Sequence, residues 1–106
     1  MQVDFYIHTT DGMIRFNNHE IFYIQANGTG SKIVTCRGEY LVRRPIGKLD
    51  LECLPSEAFC RVDKSFIVSL ENVISFKLDE VVINGTRIPV AKHYRSRLFA
   101  SVNVIW

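Results

Sequence analysis

No apolar run in this chain approaches the ~20 residues that cross a bilayer, which argues against a helical membrane protein. Met1-Gln2-Val3-Asp4 lacks the basic start and apolar core of a secretory signal. Three cysteines, Cys36, Cys53 and Cys60, are odd in number and have no metal-ligand spacing. Together these absences predict reduced thiols in a cytoplasmic protein that crosses no membrane. H-x-x-x-H, C-x-x-C, a Gly-rich phosphate loop and G-x-S-x-G are all missing. His8, His19 and His93 fall on separate elements, so no catalytic cluster is expected, and with it no enzyme activity, no metal and no cofactor. Acid is missing too, but only locally. After Glu80 there is no Asp or Glu, while Arg87, Lys92, Arg95 and Arg97 follow. The net charge is only +2, so its distribution says more than its size: the end of the chain carries a basic field.

What is present predicts one mostly β domain over residues 1–106, with one modest core and two short helices. Val3, Phe5 and Ile7 alternate with Asp4, Tyr6 and His8 as in a half-buried strand. Asp11-Gly12 turns it back into Met13-Ile14-Arg15-Phe16. Further strands are expected at 20–26, 32–37, 39–43, 73–78, 81–83 and 86–90. A flexible loop is expected at 27–31, and Asn84-Gly85 is the strongest hairpin signal. Pro45 opens the first helix; Ile46, Leu49 and Cys53 have helical spacing, Leu51 and Leu54 widen the stripe, and Pro55 stops it. The second helix is expected over 91–99, with Ala91, Tyr94 and Leu98 inward.

The stretch 60–70 organises the rest. Val62, Phe66, Val68 and Leu70 fall on one side of a period-two pattern, and Arg61, Asp63, Ser65 and Ser69 on a wet side. Lys64 alone breaks the phase. An unpaired Lys is not buried, so the chain should leave the strand at Asp63-Lys64-Ser65 and re-enter it.

This stretch, Arg61-Val62-x-Lys64-Ser65-Phe66-Ile67-Val68, resembles the signature of LytTR-type DNA-binding domains of bacterial response regulators. Glu20 through Ala26 resembles the family's early "I-x-Y-I-E-A" strand. Leu49 through Pro55 resembles its "L-x-x-L-x-x-x-L-P" segment, and Ile88-Pro89-Val90 its "I-P-V" before a basic helix. The four fragments lie in the family's order over roughly residues 3–100.

The resemblance implies short antiparallel strands in small stacked sheets, and loops that enter successive major grooves of double-stranded DNA. Carried over residue by residue, it implies DNA contacts from Ser31 and Lys32 in the first loop. Arg61, Lys64 and Ser65 follow in the second, and Lys92, His93, Arg95 and Arg97 in the third and its helix. Lys64 and Lys92 are expected at guanine edges, and Arg95 or Arg97 at phosphate. The implied partners are duplex DNA, a receiver domain in cis or a regulator partner, and a second copy on DNA. Three positions depart from the pattern: Asp63 stands where His is common, Ser69 where Asn is common, and Ala91 where a Ser would cap the last helix. Asp63 and the low net charge favour the other reading, a protein-interaction module of the same fold without DNA affinity.

Overall fold

The computed structural model describes residues 2–106. β1 (Asp4–Thr9) and β2 (Gly12–Asn17) pair as a hairpin. β3 (Ile21–Asn27), β4 (Gly30–Thr35), β5 (Gly38–Val42), β6 (Phe59–Asp63) and β7 (Phe66–Ser69) form an antiparallel sheet of order β5-β4-β3-β7-β6. β8 (Val73–Phe76), β9 (Glu80–Ile83) and β10 (Thr86–Pro89) form a third, of order β10-β9-β8. α1 (Ile46–Lys48) runs into a π turn, Leu49–Cys53. 3-10 turns lie at Leu70–Asn72 and Lys92–Tyr94, the second leading into α2 (Arg95–Ala100). The fold is thus mostly strands in small antiparallel sheets, as the sequence pattern and the resemblance both imply.

The five-stranded sheet is the middle layer because its strands are apolar on both sides. Ile67 and Val68 are adjacent on β7 and both 0% exposed. Alternation sends Ile67 into a core with Ile24, Ile33 and Phe59, beneath the β1–β2 hairpin and α1. Val68 enters a second core with Cys60, Val62, Val81, Ile83, Ile88 and Leu98, beneath the three-stranded sheet and α2. This corrects the expectation of one wet side. Ser69, expected to be wet, is buried and donates its hydroxyl to the Asn18 carbonyl at 2.8 Å. Phe66 does share the Val68 face but is only half-buried, beside Tyr23.

The turns follow local chemistry. Asn84 (φ 48°) and Gly85 (φ 75°) both take positive φ, as a two-residue hairpin turn of the mirror-image type requires. The expected loop at 27–31 is instead a two-residue turn: Asn27 pairs with Gly30, so Gly30 and Ser31 already belong to β4 with Lys32. Gly30 is fixed by packing, since a Cβ there would lie 2.3 Å from the Val42 carbonyl oxygen. The first helix also differs. Its second part winds as a π turn, with the Leu54 amide bonded to the Leu49 carbonyl at 3.0 Å. The wider winding rotates Leu51 outward, 84% exposed, while Leu54 packs on the core.

Candidate nucleic-acid interface

Antiparallel order collects several turns at one end of the middle sheet. β3 ends, β4 begins, β5 ends, β6 ends and β7 begins there. The Ala26 amide donates to the Ser65 carbonyl at 2.9 Å, tying the end of β3 to the turn after β6. The Ala91 amide donates to the Val62 carbonyl at 2.8 Å, which brings the segment 91–94 to the same end.

Lys64 sits at the apex of a two-residue turn, since Asp63 pairs with Phe66. The strand does leave and re-enter at this point, as the broken phase predicts, and Lys64 is exposed. Its neighbours hold the turn rigid. Asp63 accepts the Ser65 amide at 2.9 Å, so its carboxylate is a turn acceptor. Arg61 reaches forward, donating to the Lys64 carbonyl at 2.7 Å and the Asp63 carbonyl at 3.3 Å. Its guanidinium also lies 5.8 Å from the centre of the Tyr94 ring. Arg61 therefore clasps the Lys64 turn and links it to the 3-10 turn that carries Lys92 and His93. Both of those side chains are exposed. Ala91 gives this turn no side-chain cap, as the missing Ser hydroxyl implies.

Other expected contacts are placed differently. Ser31 is 0% exposed, and its hydroxyl is donated to the Arg44 carbonyl at 2.8 Å, a bond within the domain. Lys32 lies two residues in from the start of β4, opposite Gln25 and Leu41, 3.7 Å from the Glu39 carboxylate. Arg97 makes a two-point ion pair with Asp50, at 2.8 and 3.2 Å, that pins α2 to the π turn. That pairing holds the Arg97 guanidinium above its ordinary range. Arg95 donates to the Leu78 carbonyl at 2.9 Å and is half-buried. Arg61, Lys64, Ser65, Lys92 and His93 are thus brought together, while Ser31, Lys32 and Arg97 are otherwise engaged.

Three cations at the same end were not singled out from the sequence. Arg43 and Arg44 follow β5 directly, and Lys48 closes α1. All three are exposed, and none is ion-paired among the described residues. With Pro45 and Glu52 they line one shallow depression. The dibasic pair immediately before a proline was the available signal. Its position at the Lys64 end of the sheet came only from the register of β4 against β5 and from the Ser31–Arg44 bond. Cys60, next to Arg61, is buried; burial pushes its thiol above its ordinary value, with the Ser101 hydroxyl opposing weakly.

A family model described as the LytTr DNA-binding domain matches residues 11–103. A solved structure from Bacillus cereus, titled as the LytTr DNA-binding domain of a methyl-accepting/DNA response regulator, shares the fold. It has a TM-score of 0.74 at 22% identity, covering 88% of this chain and 90% of that one. No curated protein matches the chain. No helix among the described residues is long and apolar enough to cross a membrane.

Proposed function

The chain belongs to the LytTR DNA-binding domain family, a family of DNA-binding domains rather than of enzymes, and from that premise we propose a sequence-specific reader of double-stranded DNA. It acts as the effector module of a bacterial transcriptional regulator, in the cytoplasm, with a receiver domain or regulator partner supplying the signal. The observation that carries this reading is the convergence of exposed cations on rigid turns at one end of the middle sheet. Lys64 stands on the clasped turn, Lys92 on the 3-10 turn, and Arg43, Arg44 and Lys48 after the opposite edge strand at the same end. Phosphates bind such a surface through counterion release, and base edges are read by donors that reach into a groove. The turns would enter successive major grooves, and two copies on one site would follow repeated half-sites.

In this reading Lys64 and Lys92 donate to guanine edges, while Arg43, Arg44 and Lys48 meet phosphate. Arg61 works through the turn it holds. The protein-interaction alternative drew support from Asp63 as an anion beside the backbone of DNA. Its bond to the Ser65 amide removes much of that support, because the carboxylate has a role within the turn.

The deciding experiment selects bound sites from a random duplex library at moderate salt, then measures Lys64→Ala and Lys92→Ala on single-base variants of the winning site. Each is expected to lose ~1–3 kcal/mol of discrimination, at two separate positions. Uniform weakening with preferences intact would make both lysines phosphate contacts. No salt-dependent duplex binding at all would favour the interaction module.

A further inference from the structure

Between the β1–β2 hairpin and α1, the first core is not closed. A cleft of about 260 Å³ remains, walled by Phe5, Ile7, Ile24, Ile33, Leu49 and Leu54. That is room for roughly nine water-sized groups at ~30 Å³ each, yet the walls offer almost nothing for water to bond, so ordered water is a poor filling. At the mouth the chemistry changes. His8, Cys53 and Arg44 stand there, with Arg44 Nη1 3.2 Å from the Cys53 sulfur. No carboxylate lines the cleft, and Arg44 has no ion-pair partner among the described residues.

We propose that this cleft binds a small anionic amphiphile, an apolar body of about eight to ten heavy atoms ending in a carboxylate, with the head held by Arg44. Apolar walls with a few polar groups at one end are the usual form of a ligand site, and a lone guanidinium at that end selects a carboxylate over a neutral head. The site also has a consequence for the DNA interface, which rests on the reading above. Arg44 is one residue from Arg43 and borders the cation cluster. A ligand carboxylate on its guanidinium would offset the charge that attracts a DNA phosphate and repel that phosphate. Ligand and DNA therefore weaken each other, by equal factors.

The test uses sodium octanoate and its uncharged counterpart octanamide, followed by methyl NMR on the whole chain labelled at Ile, Leu and Val. Octanoate should shift Ile24, Ile33 and Leu49 saturably, below its micelle-forming concentration, and bind at least tenfold tighter than octanamide. Arg44→Gln, a change at an exposed position, should abolish that preference and leave octanamide binding unchanged. Shifts that never saturate or that spread over the surface would overturn the site, as would equal affinity for the two compounds. A parallel titration measures duplex affinity by anisotropy. Saturating octanoate should weaken wild type at least fivefold and leave Arg44→Gln unaffected. Saturable octanoate binding with unchanged duplex affinity would overturn the coupling while the cleft stands. If the free protein binds no duplex, the interface reading fails, and the methyl titration still decides the cleft.

Discussion

Lys64 is exposed because its neighbours occupy every inward bond of the turn. Asp63, Arg61 and the Ser65 carbonyl are all engaged, so the lysine is left standing on a fixed base. A cation fixed in this way loses less freedom on binding than one on a mobile tail. Arg61→Ala should accordingly weaken duplex binding without removing a contact of its own. Turn amides 64 and 65 should exchange faster in the free variant, while a mere phosphate contact would leave that exchange unchanged. Cysteine chemistry provides a second check at this scale. Cys36 and Cys53 are exposed and Cys60 is buried, so two thiols should alkylate quickly and the third only on unfolding. Cys60 also links stability to pH. Its folded thiol holds its proton more tightly than the unfolded one, so the unfolded state binds fewer protons at high pH. The contribution is fully present below the ordinary value of 9.0 and is lost as pH rises past it. Urea midpoints should fall above about pH 9, and less steeply in Cys60→Ala, which lacks the titrating group.

At the scale of elements, α2 proves to be a docked strut whose cations face different ways. Arg97 is held by Asp50 across the domain, and Arg95 by the Leu78 carbonyl. Asp50→Ala should therefore cost ~1–2 kcal/mol of stability, discounted for the partial exposure of Arg97, and should leave the salt slope of DNA binding nearly unchanged. A slope lower by a full unit in Arg97→Ala would instead return that residue to the phosphate backbone. The β4–β5 contact is equally specific. Gly30→Ala forces a Cβ against the Val42 carbonyl, and the strands must part, at a cost of ~1–3 kcal/mol by chemical denaturation. Because the same contact sets where Arg43 and Arg44 emerge, duplex affinity should fall with it.

On the scale of the molecule, β7 is the shared wall of two cores. Ile67→Ala should cost ~2–5 kcal/mol and Val68→Ala somewhat less, although they face opposite layers. Both variants should still melt in one transition, whether followed at the hairpin or at the three-stranded sheet. Separate transitions would mean that the layers fold independently. The half-buried Phe66, expected from the pattern to be a main core residue, should cost less on truncation than Ile67.

Much of this was written locally. Period-two alternation marked nearly every strand, Asn84-Gly85 its turn, and the misplaced Lys64 its excursion, because sterics, propensity and the cost of burying a charge act over a few residues. The wet face assigned to 60–70 was not legible. A half-buried and a fully buried strand differ only in what lies above them, and the three-stranded sheet comes from later in the chain. For the same reason Ser31, Lys32 and Arg97 looked available for DNA: their partners Arg44, Glu39 and Asp50 lie 13, 7 and 47 positions away. The sequence alone determined which residues carry charge and which turns present them. Only the tertiary structure decided which charges are already paired, because an ion pair across the fold depends on register and layer packing that no local pattern encodes.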